Sequence, residues 1–291
     1  MSPHSIARDA ASGNVEWKQE IDGQESATPA WAEGTLFYGT RDGKLVALDT
    51  RTRKEKWSCK VGDQIRAPLT YHRGLLFATA TRVTITKKEV EHGHTYDYDF
   101  KGGLIAAVDA ASGEKKWQFE TRSKYGEASA PAAAGDLVYV GSSDEGLYAL
   151  DREDGRQRWA FAARAKVFAS PTVAGEMVLF GNAGGTFFAL DANSGEQLWK
   201  FESGEAIFST AAFSEDRVIF AHKEGVIFCL GLEDGKELWR YDTKDEIMYS
   251  PVLAGGSAYI GQEYLYMHAL DIESGKRLWR FTSPDGIGTS A

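Results

Sequence analysis

Residues 189–199 read ALDANSGEQLW, and this phrase sets the pattern of the whole chain. It returns as ALDREDGRQRW over residues 149–159 and as ALDIESGKRLW over residues 269–279. Its closing tryptophan recurs with spacings of 40, 60, 42, 40, 40 and 40 residues. Self-similarity at a nearly fixed period is the signature of a repeat fold. The tryptophans of the pattern are Trp17, Trp57, Trp117, Trp159, Trp199, Trp239 and Trp279.

One repeat, residues 171–201, resolves into four short β-forming segments. They cover residues 171–173, 177–180, 186–190 and 197–201, and clusters rich in glycine, asparagine and aspartate separate them. Helical periodicity is absent. Four-stranded repeats arranged radially are the blades of a β-propeller, so we predict an all-β propeller of about seven blades, with eight less favoured. The prediction treats residues 1–291 as a single domain.

The two ends of the chain complement each other on this repeat. Residues 281–291 end in a first strand, and residues 1–20 begin at a third strand, so together they would form one stitched terminal blade. Such a closure protects the edges of the ring. That blade lacks an equivalent of the second strand. It is either a reduced, three-stranded blade or a part of a longer propeller.

The recurring aspartate, glycine and tryptophan have a structural interpretation. An aspartate side chain can accept backbone N–H bonds and close a turn, and glycine takes the positive φ that such a turn requires. Tryptophan offers a large flat surface to wedge between adjacent blades, and its indole N–H can still find an acceptor. We therefore interpret these residues as structural; the aspartates are Asp49, Asp109, Asp151, Asp191 and Asp271.

The phrases at residues 149–159, 189–199 and 269–279 resemble the PQQ-like (pyrroloquinoline-quinone) repeat of the quinoprotein dehydrogenase-type β-propellers. That family includes quinoprotein dehydrogenases, the lipoprotein propeller of the bacterial outer-membrane assembly machinery, and sensor or scaffold propellers attached to signalling kinases. In the alcohol-type enzymes the resemblance implies adjacent cysteines and a calcium set of Glu, Asn and Asp. Here Cys59 and Cys229 are far apart, and none of those positions can be matched. The resemblance implies a scaffold without a cofactor, with PQQ and calcium as the alternative.

Residues 81–101 enlarge one repeat and read as a hairpin inserted between the second and third strands of its blade. Its β-forming segments are residues 81–86 and 94–100, separated by a charged stretch around residues 89–92. Functional variation in repeat folds collects on one face, so we predict that this hairpin contacts a partner. Two histidines alone do not make a metal site, and none is predicted. The predicted contact residues are His92, His94, Tyr96 and Tyr98.

The loops that lead into each first strand should line the central funnel on the face that bears the hairpin. Aromatic side chains mixed with isolated charges on a concave surface suit a bound peptide or small ligand. The alternative is that the apolar side chains simply plug the funnel. The predicted funnel residues are Arg66, Tyr125, Glu127, Lys166, Phe168, Phe208, Met248 and Tyr249.

Charge and composition narrow the function further. The net charge of -9 disfavours nucleic-acid binding. No export signal or membrane-spanning segment is visible, which predicts a cytoplasmic protein, or an extracytoplasmic one if a longer parent supplies a signal. No nucleophile stands beside a recognisable base. We expect a monomeric, non-catalytic scaffold that binds a protein or, as a further option, a small ligand. The alternative is a PQQ-dependent dehydrogenase or a sugar-active propeller enzyme.

Overall fold

The structure is a computed structural model that describes residues 4–8, 12, 14–20, 28–90, 93–123, 128–262 and 266–282. All regular secondary structure in these ranges is β-strand. No helix in this part of the chain is long and apolar enough to cross a membrane. The chain divides into two compact units. The first comprises Met1–Pro131 with Arg152–Arg156, and the second comprises Ala132–Asp151 with Gln157–Ala291.

The first unit contains three antiparallel sheets. One is the pair β1 (His4–Arg8) and β2 (Val15–Glu20). A four-stranded sheet has the order β3 (Ala30–Ala32), β4 (Thr35–Gly39), β5 (Lys44–Asp49) and β6 (Glu55–Lys60). The third sheet consists of β7 (Gln64–Ile65), β8 (Thr70–His72), β9 (Leu75–Val90), β10 (Gly93–Asp109) and β11 (Lys115–Glu120). In it both β7 and β8 pair with β9.

The second unit contains four sheets, each of four antiparallel strands in chain order. They are β12 (Ala132–Ala134), β13 (Leu137–Gly141), β14 (Gly146–Asp151) and β15 (Gln157–Ala162); β16 (Thr172–Ala174), β17 (Met177–Gly181), β18 (Thr186–Asp191) and β19 (Gln197–Glu202); β20 (Ala212–Phe213), β21 (Arg217–Ala221), β22 (Val226–Gly231) and β23 (Glu237–Asp242); and β24 (Val252–Ala254), β25 (Ser257–Gly261), β26 (Tyr266–Asp271) and β27 (Arg277–Thr282).

The repeated phrase has a defined backbone shape. In each of these four sheets the pairing of the third strand with the fourth shifts register just before the turn, as between Ala189 and Leu190. Such a bulge bends the strand and ends the regular pairing. The turn that follows is closed by a 2.9 Å bond from the Gly195 N–H to the Asp191 carbonyl, and Gly195 has a φ of +75°. The phrase therefore encodes a bulge followed by a tight turn.

Burial explains why the strands of one sheet differ in sequence. The second and third strands are apolar runs buried on both faces, as in Leu137–Gly141 and Gly146–Asp151. The fourth strand tends to alternate, and in Gln197–Glu202 the buried Trp199 lies between the exposed residues Leu198 and Lys200. Continuous apolar runs are expected where a strand is covered on both sides, and alternation where one face meets water.

The larger core clusters each join two sheets that are consecutive in the chain. In the second unit, Phe187 of β18 stacks on Phe220 of β21 with ring centroids 4.1 Å apart. In the first unit, Phe37, Ile65 and Leu104 belong to one buried cluster that joins the sheet of β3–β6 to that of β7–β11. Burial of such side chains supplies the main driving force for folding.

Candidate functional site

The tryptophans hold each sheet to the turn of the next sheet along the chain. The Trp159 indole N–H donates to the Ala192 carbonyl at 3.0 Å, and its ring covers Gly195. A buried indole with a satisfied N–H and a close glycine partner is a packing element. The same indole-to-carbonyl bond is made by Trp57 to Ala110, Trp117 to Arg152, Trp199 to Leu232 and Trp239 to Ile272, at 2.8–3.1 Å.

The recurring aspartates close the turns between third and fourth strands. Asp191 Oδ1 accepts bonds from the backbone N–H groups of Asn193 and Ser194, at 3.0 and 2.7 Å. These bonds, that of Ser194 first, hold the pKa of the Asp191 carboxyl below its ordinary value. Bonds to Oδ1 of Asp49, Asp109 and Asp271 likewise lower their pKa. Asp151 forms an ion pair with Arg158 at 3.2 Å.

Trp17 and Trp279 stand at the ends of the pattern. Trp17 lies in β2 opposite Ala7 of β1, and its side chain is outside the described part of the structure. Trp279 lies in β27 with 44% of its surface exposed, and its ring is 5.8 Å from that of Tyr259. Residues 283–291, which the stitched terminal blade requires, lie outside the described residues.

The lead-in loops of the second unit are anchored by a buried aliphatic residue. Val167, Ile207 and Ile247 are fully buried, and their backbone N–H groups donate to the carbonyls of Ser142, Asn182 and Lys223 at 3.0 Å. The residue that follows each of them lies nearer to the surface: Phe168 and Phe208 are half-buried, and Met248 is 40% exposed. The loops thus present one large apolar side chain each from a rigid base.

Contacts along these loops involve three of the predicted residues. The rings of Phe168 and Phe208 lie 6.0 Å apart, and the Lys166 ammonium lies 5.8 Å from the centre of the Phe168 ring. A cation at that distance over a ring face is a cation–π contact. Tyr249 is half-buried beside Met248. This row combines apolar surface with one charge, as peptide-binding surfaces do.

In the first unit, Arg66 follows β7 and borders a cavity of about 100 Å³. Gln64, Thr81 and Phe100 also line the cavity. Gln64 Oε1 and Thr81 Oγ1 are buried, and neither has a hydrogen-bond partner in the part of the chain that the structure describes. Sequence reasoning singled out Arg66 but assigned no role to Thr81 or Phe100 beyond the hairpin. The pairing of Gln64 with Thr81 across β7 and β9 brings them together, and no sequence pattern reports that register.

The hairpin of β9 and β10 is paired along its full length, with one shift of register between Phe100 and Gly102. Its strands pair from Leu75 with Asp109 to Val90 with Gly93, so the charged stretch around residues 89–92 is partly strand instead of loop. Tyr98 lies opposite Ile85, and Tyr96 lies opposite Lys87. Alternate residues share one face of a strand, so Ile85, Tyr96 and Tyr98 share one face, and they are 46%, 52% and 51% exposed.

Three of the predicted contact residues cannot be placed. Tyr125, Glu127 and His92 lie outside the described residues. His94 pairs with Glu89 in the β9–β10 hairpin, and its side chain is likewise outside the described part.

The residues that a quinone and its calcium would need do not come together in the described part of the chain. No group of three or more His, Cys, Asp or Glu side chains there could hold a metal ion. Cys59 belongs to the first unit and Cys229 to the second, and burial raises the pKa of the Cys229 thiol to about 12. A thiol that stays protonated is a poor nucleophile and a poor metal ligand. We derive no catalytic step through such a group.

A buried polar pair lies in the last sheet of the second unit. His268 Nε2 is 2.9 Å from Gln262 Oε1, while His268 Nδ1 and Gln262 Nε2 find no partner among residues 4–262 and 266–282 as far as the structure describes them. Burial is the main cause that lowers the pKa of His268 to about 4, with smaller effects of Arg277 and Arg280. The local sequence around His268 gives no sign of this burial.

Comparisons with known proteins agree with this architecture. The family profile described as outer membrane protein assembly factor BamB matches residues 4–96, 101–210 and 183–289. The structure of BamB from Moraxella catarrhalis superposes with a TM-score of 0.76 and 20% identity, over 95% of this chain and 80% of that one. At this identity the likeness shows the fold, and it confirms the predicted all-β propeller. The number of blades stays a prediction.

Two relatives by sequence are much longer than this chain. The serine/threonine-protein kinase AfsK of Streptomyces griseus is 30% identical over 168 residues, which are 54% of this chain and 19% of the kinase. The dehydrogenase subunit of the quinone alcohol dehydrogenase of Gluconobacter oxydans is 29% identical over 126 residues, which are 40% of this chain and 16% of the enzyme. The chain thus matches less than a fifth of either relative. Because the profile covers most of its length, the chain belongs to the outer membrane protein assembly factor BamB family of PQQ-like repeat proteins.

Proposed function

We propose that this chain is a non-catalytic β-propeller that binds a protein partner through the β9–β10 hairpin. The observation that carries the proposal is the exposed apolar face of that hairpin, formed by Ile85, Tyr96 and Tyr98. Three large apolar side chains on one face of the hairpin interact poorly with water. Burying them against a partner therefore lowers the free energy. Tyrosine in particular is enriched at the centres of protein interfaces.

The lead-in loops of the second unit offer a further contact region. Phe168, Phe208 and Met248 supply apolar surface, and Lys166 supplies a charge. The buried aliphatic residues that anchor these loops favour a preformed binding surface. A preformed surface lowers the entropic cost of binding. We assign this row to the same kind of ligand, a protein segment.

The relatives support a role in binding. The family is described as an assembly factor for outer membrane proteins, which supports both a protein partner and an extracytoplasmic location. One relative is a serine/threonine-protein kinase, which supports a sensor or scaffold role for this kind of repeat. Binding of a protein segment is common to both roles.

The competing function is a quinone-dependent enzyme, because a quinone alcohol dehydrogenase is among the relatives. Against it stands the lack of a metal-holding group among the described residues. Native mass spectrometry of the purified chain with PQQ and calcium separates the two functions. We expect no specific complex; a one-to-one quinone complex that reduces an electron-accepting dye with an alcohol or sugar substrate would replace the proposed function.

The proposal itself is tested with a purified partner. Partners captured by the full chain would be identified and purified, and the Kd of each would be measured for a triple variant, Ile85→Thr with Tyr96→Ser and Tyr98→Ser. We expect binding at least about tenfold weaker, because interface aromatics carry a large share of binding energy. The matched control is Leu238→Ser, which removes a side chain that is 50% exposed on β23. Equal affinity of the triple variant and the control would refute the hairpin as the binding surface.

A further inference from the structure

The cavity beside Arg66 has room for a small group. Its volume of about 100 Å³ is several times what one water molecule needs. It lies at the base of the β9–β10 hairpin, where Phe100 forms one wall and Ala128 another. Such a space suits the end of a side chain better than a whole cofactor.

Two hydrogen-bonding groups in its wall have no partner among the described residues. Thr81 is only 8% exposed, and both its Oγ1 and Gln64 Oε1 are buried and unbonded. Native proteins satisfy nearly all buried polar atoms, so an unsatisfied pair on one cavity wall indicates a ligand that completes it. A threonine hydroxyl can donate to an oxygen of a ligand, and turning the Gln64 amide by 180° puts its Nε2 donor in the place of Oε1, since the two ends of the amide have almost the same shape. Together they can bind an oxygen-bearing group.

The charge at the cavity determines which oxygen-bearing group it can bind. Arg66 is exposed, and its guanidinium has no ion pair or hydrogen bond in the described part of the chain. The nearby cations are already paired, Arg82 with Glu120 at 2.8 Å and Lys101 with Asp99. The carboxylate of Asp63 accepts the Val83 N–H at 2.9 Å. Asp63 does not line the cavity, and Arg66 is the one charged residue among the described residues that do. A guanidinium binds a carboxylate with two parallel bonds.

An apolar strip extends from the cavity along the hairpin. Thr81 and Ile85 share one face of β9, since alternate residues point to the same side. The Phe100 ring lies 6.3 Å from that of Tyr98, which in turn lies opposite Ile85. A small metabolite would fill the cavity alone and leave this strip uncovered. A peptide would cover both.

We propose that the cavity formed by Gln64, Arg66 and Thr81 binds the carboxylate of an aspartate or glutamate side chain, and that apolar neighbours of that residue in the partner segment lie on Ile85 and Tyr98. This proposal rests on the proposed function and specifies the chemistry of the partner. The occupant is an acidic residue in an extended, otherwise apolar segment.

The test uses the full chain and three probes. They are a capped pentapeptide with one glutamate between valine and phenylalanine residues, the same peptide with glutamine in place of glutamate, and N-acetylglutamate. We expect the glutamate peptide to bind at least tenfold more tightly than either of the others. Arg66→Gln and Thr81→Val should each remove the preference for glutamate, and Tyr98→Ser should weaken only the peptides. The matched control for charge is Arg51→Gln, an exposed arginine of the same unit, which should change nothing.

Several outcomes overturn the proposal. Equal binding of the glutamate and glutamine peptides, or no binding of any probe, would exclude a carboxylate site. Equal binding of N-acetylglutamate and the glutamate peptide, unaffected by Tyr98→Ser, would make it a site for a small metabolite instead of a protein segment. Thr81→Val removes an unsatisfied hydroxyl and should raise the melting temperature, which guards against loss of binding through misfolding.

The experiments distinguish an error in the carboxylate-binding cavity from an error in the proposed function. If the hairpin triple variant weakens binding of the purified natural partner and Arg66→Gln does not, the cavity does not bind a carboxylate of the partner, but the hairpin is still the binding surface. If Arg66→Gln removes binding of the glutamate peptide and the hairpin triple variant leaves partner affinity unchanged, the cavity stands and the partner surface lies elsewhere.

Discussion

The Trp159 ring lies against Gly195 so closely that a Cβ atom on that glycine would be 2.6 Å from indole Cδ2. The same indole donates its N–H to the Ala192 carbonyl in the same turn. One side chain thus contacts the neighbouring turn in two ways: its ring packs against the glycine, and its N–H group binds a carbonyl. The spacing of glycine and tryptophan in the repeat therefore reflects packing between consecutive sheets of the second unit. It does not indicate a catalytic role.

We expect Gly195→Ala to destabilise the protein more than an ordinary glycine substitution does. Gly195 has a φ of +75°, and Gly175 has a φ of +62° with open space around it. Gly175→Ala should cost only the backbone strain of about 1 kcal/mol. Gly195→Ala adds a clash with the indole, and the total should reach about 3 kcal/mol. Urea unfolding of both variants measures the difference, and equal losses would show that the Trp159 contact is not tight.

The sheet that lacks the glycine of the phrase offers the reverse experiment. Arg53 stands at that position and keeps the left-handed backbone, with a φ of +58°. Arg53→Gly should stabilise the protein by about 0.5 to 1 kcal/mol, since the strain it relieves exceeds the extra chain entropy of glycine. Arg51→Gly in the same turn is the control and should not stabilise. A lower melting temperature for Arg53→Gly would contradict the argument.

Much of this fold follows from the sequence because the repeat fixes strand positions to within a residue. The segments predicted at residues 171–173, 177–180, 186–190 and 197–201 agree within one residue at each end with Thr172–Ala174, Met177–Gly181, Thr186–Asp191 and Gln197–Glu202. Seven repetitions of one pattern compensate for weak local signals. The β-bulge before each turn was not predicted, because no residue type is specific for a bulge at that place.

The candidate site is harder to predict from the sequence than the fold, because it depends on strand register and on burial. Arg66 and Tyr98 stood out as a charge and an aromatic on predicted loops and strands. Thr81 did not, since its unbonded hydroxyl arises only when β7 pairs with β9. The charged stretch around residues 89–92 favoured a loop by composition, but β9 continues to Val90 because its backbone finds partners across β10.

The turn aspartates should make stability depend on acid. Asp191→Ala should cost about 1 kcal/mol near neutral pH, because two backbone N–H groups lose their acceptor. The pKa of the Asp191 carboxyl is lowered in the folded state, so its stabilisation is present above the ordinary pKa and is lost as pH falls through the folded value. The gap between wild type and Asp191→Ala should therefore narrow below about pH 4. A gap that is constant with pH would mean that the charge of Asp191 does not matter; Asp191→Asn, which keeps an acceptor, is the control.

His268 should give a second pH dependence in a different window. Its folded pKa of about 4 lies below the ordinary value of 6.5, because burial disfavours the charged ring. The unfolded chain therefore binds a proton first, and stability is lost as pH falls from about 6.5 towards 4, with the full contribution present above that window. A shift of this size corresponds to about 3 kcal/mol between pH 8 and pH 4.

Urea unfolding of wild type and His268→Gln across that range isolates the contribution. Glutamine keeps a hydrogen-bond donor toward Gln262 Oε1 and has no charge to gain, so the variant should lose about 3 kcal/mol less than wild type between pH 8 and pH 4. The loss that both proteins share belongs to the carboxylates, and it sets in at lower pH because their folded pKa values are lowered. Parallel pH profiles for the two proteins would show that His268 is protonated as easily in the folded state as in the unfolded chain, and that water reaches its ring.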